Sequence, residues 1–326
     1  MQRRHFIQAA GATTLFTWLP AQAQAYPSRT VRMVVPFPPG GPTDSFARLY
    51  ADALGKQLGQ TVVVENKAGA SGAIGSLDVK NSAADGYTLL FATASTHALY
   101  NLIEPNPRYS ATDDFDYVGV LGGAPVALAV SPAMPKTLKG LVALAKEKPG
   151  KLNYGSPGTG TLLHVATERF KQMTGADITH IPYKGTGPAL QDLMGGQIDM
   201  AVGTLGGLLP LHRSGKLRIV GVATAKRLSM APDVMTIAES AEMSAPFEAM
   251  LWNVVAVPRN LPAPIMKALA DATTAVMGAP AMNASLEEQG MFADLHIGDV
   301  AAGAYVKAEA AKWKPVITSL GAAIGR

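Results

Sequence analysis

The chain is 326 residues long, 48% hydrophobic and 16% charged, with a formal charge of +4 and no cysteine. This composition excludes disorder, disulfides, thiol catalysis, thiolate metal sites and a lipid-modified cysteine, and so small and dispersed an excess charge gives no footprint for nucleic acid. The length exceeds what one hydrophobic core usually holds and points to two compact lobes.

Arg3-Arg4 precede an apolar run from Phe6 to Leu19 that ends in Ala21-Gln22-Ala23-Gln24-Ala25, the layout of a cleaved export signal over residues 1–25. The run is too short for a spanning helix, which needs about 20 apolar residues. Arg3-Arg4-His5-Phe6-Ile7 resembles a twin-arginine signal, with the general secretory route as the alternative. Either route leads out of the cytoplasm, and the mature chain is expected to be soluble.

From Thr30 onward, short Val/Ile-rich runs alternate with amphipathic stretches, the pattern of sheets covered by helices. Strands are predicted near Val31 to Pro36, Thr61 to Glu65 and Tyr87 to Ala92, with helices between them. Phe115 to Val130 reads as a long extended segment that carries the chain to a second lobe. There, strands are expected near Leu152 to Tyr154, Asp177 to Pro182, Ile198 to Val202 and Leu217 to Ala223, with helices starting near Thr161, Pro188 and Leu205. Trp252 to Val257 would return to the first lobe, where helices over Pro264 to Gln289 and Val300 to Leu320 would pack. The expected division is therefore 26–125 with 252–326 as lobe 1, and 126–251 as lobe 2. Trp252, Tyr87 and Phe91 stand at strand-like positions and read as core.

The first strand runs through Pro36-Phe37-Pro38-Pro39-Gly40-Gly41-Pro42-Thr43-Asp44 directly into a helix. Such a turn leaves backbone N–H groups bare at the positive end of the helix dipole, so a carboxylate is a natural guest. Gly40 and Gly41 permit close approach and Pro42 suits the first helical position. Taken alone, the turn is first of all a connection and only then an anion site. Asp44 would repel an anion it faced. Paired with Arg48 four residues on, it reads better as a brace for the loop, with a water-bridged contact to the ligand as the other possibility.

Three later turns repeat the arrangement. Tyr154-Gly155-Ser156-Pro157-Gly158-Thr159-Gly160-Thr161 adds hydroxyls to a helix start but lacks the lysine of a P-loop and the third glycine of a dinucleotide fingerprint. Thr161 is equally a plain helix cap there. In Ile181-Pro182-Tyr183-Lys184-Gly185-Thr186-Gly187-Pro188, Lys184 is either an exposed lysine, as lysines mostly are, or a partner for an acid. Gly203-Thr204 forms the fourth. Strand ends in an open sheet converge on one cleft, so the turns gain weight together. Enzymatic machinery is thin. No histidines stand at metal-ligand spacing, and no nucleophile elbow occurs, so His164 near Ser156 and Thr161 reads as a packing or pocket-lining side chain. No cofactor, metal or catalytic group is expected.

These motifs, with Ala47-Arg48, Val64-Glu65-Asn66-Lys67-Ala68-Gly69-Ala70-Ser71-Gly72, Gly75, Asp85-Gly86-Tyr87-Thr88-Leu89-Leu90, Pro182-Tyr183-Lys184-Gly185 and Gly195-Gly196-Gln197-Ile198-Asp199, resemble the extracytoplasmic receptors of tripartite tricarboxylate transporters, the Bug receptors. The likeness covers nearly all of the mature chain. It implies an α/β, two-lobed periplasmic binding protein fold of type II, each lobe a mixed, mostly parallel sheet flanked by helices, with hinge strands between. It further implies that the turn holding Phe37, Pro39, Gly40, Gly41, Thr43 and Asp44 grips one ligand carboxylate through backbone groups and ordered water. Ser156, Gly158, Thr159, Gly160, Thr161, His164 and Lys184 would contribute from the other lobe, and Ser95, Thr96, His97, Gly203 and Thr204 would line the rest. The implied partners are a small organic acid (a dicarboxylate, an aromatic carboxylate or an amino acid) and the membrane components of the transporter, served by a monomer. A periplasmic sensor with the same clamp is the alternative, and an exported hydrolase a distant third.

Overall fold

The computed structural model describes residues 26–324, and the export signal expected over 1–25 lies outside them. β1 (Val31–Val35) leads through α1 (Pro42–Leu58) to β2 (Val62–Asn66), α2 (Ala73–Lys80), β3 (Thr88–Thr93), α3 (Tyr100–Ile103) and β4 (Phe115–Val130). Then follow α4 (Leu138–Glu147), β5 (Leu152–Ser156), α5 (Leu162–Thr174), β6 (Ile178–Pro182), α6 (Thr186–Met194), β7 (Met200–Thr204), α7 (Leu205–Arg213), β8 (Arg218–Val222) and α8 (Ile237–Ala241). β9 (Met250–Pro258), α9 (Ala263–Met277), α10 (Pro280–Glu288), β10 (Phe292–Ile297) and α11 (Asp299–Leu320) complete it.

The chain ends its helices by local rules. α1 opens on Gly41 with Pro42 just inside and closes on Gly59 in the left-handed region, α5 runs from a Thr161 cap to a left-handed Gly175, and α8 carries a Thr236/Glu239 capping box.

β4 belongs to two sheets. Its residues up to Pro125 pair with β9, in the sheet ordered β2-β1-β3-β9-β4-β10, and from Val126 onward it pairs with β7 and β8, beside β5 and β6. It is buried along its whole length, which is why it reads as a long, mostly apolar segment, interrupted at Asp116, Gly122-Gly123 and Pro125. Among the described residues, parallel ladders run only through β2-β1-β3 and β6-β5-β7, and every ladder involving β4 or β9 is antiparallel, a larger antiparallel share than strand-helix alternation suggests. Gly122 and Gly123 mark the tightest part of the crossing. A Cβ at Gly123 would overlap the Leu251 carbonyl, and one at Gly122 the Phe292 carbonyl, so only glycine lets three backbones pass there.

The strands stand within a residue or two of their expected positions, and Trp252 and Phe91 are fully buried. Tyr87 differs. It is only partly buried, with its ring edge-on to Tyr26 and beneath the Arg29 guanidinium. α9 packs on α1 and β4. α11 reaches further, because its buried Trp313 lies near Arg169 of α5 and Ser319 bonds Gln172, tying the C-terminal helix to the second sheet as well.

Candidate functional site

The turn after β1 presents the start of α1 to a cleft between the two sheets. No side chain caps that start, and Gly41 N and Thr43 N find no acceptor among the described residues. Gly40 departs from the expectation of bare amides. It sits at φ +81°, and its N–H donates to Asp44 Oδ2 at 2.9 Å. Arg48 Nε donates to the same oxygen at 3.0 Å and Asn66 Nδ2 to Oδ1 at 2.8 Å, while Asn66 also donates to the Phe37 carbonyl at 3.0 Å. Asp44 is thus buried beneath the loop, facing three donors. Burial alone would raise its pKa, but together these donors outweigh it and hold the carboxyl below its usual 3.8. It braces the loop and does not line the cleft.

The start of α5 is largely satisfied by the protein itself. Thr161 Oγ1 accepts from His164 N at 3.4 Å and donates to the Gly158 carbonyl at 2.8 Å, and Gly160 N donates to His164 Nδ1 at 3.1 Å. Leu162 N donates to Ser95 Oγ, from the other sheet, at 3.0 Å. A second cross-cleft bond runs from Ser71 Oγ to the Thr159 carbonyl at 2.6 Å. Of the first amides of α5, Leu163 N is left without an acceptor among the described residues. Ser95→Ala would orphan the buried Leu162 N–H, with an expected loss of about 1–3 kcal/mol in urea unfolding.

α6 supplies the third helix start. Tyr183 N donates to the Ser156 carbonyl and Gly185 N to the Pro157 carbonyl, which sets this turn beside the previous one. Gly185, at φ +108°, faces Pro38 across the cleft, where a Cβ would lie 3.5 Å from the proline ring. Thr186 N and Gly187 N have no acceptor among the described residues.

Together these turns enclose about 680 Å³, including space open to solvent. Of the residues expected in the site, Phe37, Pro39, Gly40, Gly41, Thr43, Ser95, Thr161 and Lys184 line it. Lys184 is its one charged side chain, and neither α5 nor α6 carries an acid in its first turn. Three helix dipoles and a lysine meet there without an opposing carboxylate, which makes the cleft electropositive. Sequence reasoning missed Pro38, Pro42, Pro157, Leu163, Leu251 and the run Gly185 to Pro188. The glycine turn ahead of α6 was the available signal for that run.

The other expected residues are held elsewhere. Ser156 is buried with Oγ bonded to His180 Nε2 at 2.7 Å, and Gly158 N turns back to Ser156 Oγ. Thr159 and Gly160 face a neighbouring cavity beside Ser71 and Ile103. Thr96 caps the end of β3 through Thr93, and His97 lies among the rings of Tyr109, Phe115 and Tyr117, where burial pushes its pKa down to about 3. Gly203 and Thr204 are buried at the entry to α7, where Gly206 packs directly against Gly290 at the end of α10. Neither Gly203 nor Thr204 is among the residues that line the cleft.

His164 is fully buried and stacked on His180 at 4.0 Å. Burial first, then Lys171, lowers His164 to about 4. Burial, His164 and Lys171 lower His180 to about 4 against the opposing pull of Glu168. Both bind protons more readily unfolded, with an ordinary value of 6.5, so their stabilising contribution is complete above pH 6.5 and is lost as pH falls toward 4. The melting temperature is expected to fall across that window, with a shallower fall in His180→Gln.

The model of the family described as the tripartite tricarboxylate transporter family receptor matches residues 46–322. The protein BugT of Bordetella pertussis is 35% identical over 97% of this chain and 95% of its own length. Among solved structures, an R. palustris protein with adipate superposes with a TM-score of 0.86 at 35% identity, covering 91% of this chain and 98% of that one. MatC from Rhodopseudomonas palustris with bound malate gives 0.83 at 30% identity, covering 90% and 100%.

Proposed function

The chain belongs to the tripartite tricarboxylate transporter receptor family, and from that premise we propose that it is a periplasmic receptor that binds a small organic acid between its lobes and delivers it to the membrane components of a transporter. The observation that carries this reading is the convergence of three helix starts and Lys184 on a cleft lined by no carboxylate. One ligand carboxylate takes the free amides of Gly41 and Thr43. Leu163 N, Thr186 N, Gly187 N and Lys184 meet the ligand from the other side. Adipate and malate bound to related structures are acids of the kind such a cleft suits.

The work of binding is closure, and no bond is made or broken. The bonds from Ser71 and Ser95 to the far lobe hold the closed arrangement, and a ligand touching both sides adds contacts that exist only there. The protein acts as a monomer, exported through its N-terminal leader. Titration calorimetry of the mature protein against a panel of mono-, di- and tricarboxylates tests the reading. Saturable heat with at least one acid is expected, and its absence across the panel would defeat it. Loss of uptake of the bound acid in a deletion strain separates delivery from sensing.

A further inference from the structure

Resting on that reading, we infer that Ser95 is the positioning residue that ties the bound acid to closure: its hydroxyl takes the Leu162 N–H of the far lobe and gives its own proton to the ligand carboxylate at the start of α5. A hydroxyl has one proton and two lone pairs. Leu162 N occupies a lone pair at 3.0 Å, and the proton has no acceptor among the described residues. Ser95 is 3% exposed, and a buried donor left without a partner is costly, so the missing acceptor is something the cleft admits.

Ser95 stands in the wall between the cleft and the cavity beside Ser71 and Ile103. The acid is drawn to the cleft side, where Leu163 N stays free and the dipole of α5 begins. Leu162 is buried and absent from the cleft wall, so Ser95 carries the polarity of that amide to the ligand as an O–H. With Leu163 N, it gives one carboxylate a donor from each lobe. The two bonds at the hydroxyl polarise one another, and opening the cleft parts Ser95 from Leu162 and ends that gain.

The surroundings of Ser95 suit this task. It opens a buried π turn, Ser95–Leu99, a local widening that recurs at functional sites. Thr96 is fixed through Thr93 and by Tyr109 Oη, which donates to its carbonyl at 2.9 Å, and His97 is held among three aromatic rings. Neither residue lines the cleft, and their work is to hold Ser95 in place.

Calorimetry on the mature protein, with adipate, malate, citrate and benzoate as probes, carries the tightest binder through two variants. Ser71→Ala removes the other bond between the lobes from a place outside the cleft, and is expected to weaken binding about fivefold or less. Ser95→Ala is expected to weaken it about 30-fold or more, as loss of a hydrogen bond to a charged group does. A crystal of the wild-type protein with the same acid should show Ser95 Oγ within about 3.0 Å of a carboxylate oxygen while Leu162 N keeps its bond, a readout that does not depend on the alanine variant folding. A loss in Ser95→Ala no greater than in Ser71→Ala, or a crystal in which the Ser95 hydroxyl meets only water or protein, would overturn the inference and leave the organic-acid receptor standing. No binding by any of the four probes would overturn the inference, and extension of that silence to the whole carboxylate panel would overturn the receptor reading too.

Discussion

Gly41→Val is expected to weaken binding of the cognate acid by at least about 100-fold while leaving the protein folded. Gly41 adopts φ −82° and ψ 169°, an extended conformation open to any residue. A Cβ built there meets only the Pro38 carbonyl, at 3.8 Å, so the branched side chain stands in the cleft without displacing protein. It then fills the space in front of the free amides of Gly41 and Thr43, where a carboxylate has to sit. The cost to folding is that of a poorer helix cap, about 1 kcal/mol, or a few degrees in melting temperature. Gly40 makes a less clean test. Its φ of +81° strains any substituent by about 1–2 kcal/mol, so Gly40→Val mixes backbone strain with blockage. Calorimetry alongside a thermal melt separates the two effects. Normal affinity in a folded Gly41→Val protein would remove the start of α1 from the site.

β1, β3 and β9 were legible because burial on both faces writes them as apolar runs, and β4 is the longest case. β10 was not. Its Ala293, Asp294 and Leu295 are exposed, and it pairs with β4 alone through a broken register, so no apolar alternation announces it. The turns of the site could be read because glycine, proline and a helix start leave local marks, and the cap at Thr161 follows from four consecutive residues. Who occupies a donor is a tertiary matter. Ser156 is engaged by His180, 24 residues on, and Leu162 N by Ser95, 67 residues back, and neither spacing has a local signature. The same holds at Gly203-Thr204, which the fold buries beside the close approach of Gly206 to Gly290. Conversely, the alternatives weighed for that turn concerned Lys184 alone and passed over Thr186 and Gly187, whose amides have no acceptor among the described residues. Charge is conspicuous in a sequence, whereas an unpartnered N–H is silent until the fold shows what surrounds it.

Asp44→Ala should lower unfolding free energy by about 2–4 kcal/mol at pH 7 and loosen the loop that carries Gly41. The residue is 3% exposed and its carboxylate receives Gly40 N, Arg48 Nε and Asn66 Nδ2, so alanine orphans three donors and leaves a void beneath the turn. Arg48 is half exposed and recovers water, so most of the loss comes from Gly40 and Asn66. Asn66 would then hold the Phe37 carbonyl alone, and binding should weaken because the amides of α1 are no longer fixed in direction. The charge on Asp44 can be isolated by pH. Its folded pKa lies below the ordinary 3.8, so its stabilisation is present in full above that value and is lost as pH falls through the folded pKa. Urea unfolding of wild type and Asp44→Ala at pH 7 and again near pH 3 should therefore show a gap that narrows in acid. A gap of constant size would mean that shape, not ionisation, holds the loop, and Asp44→Asn should then restore wild-type stability.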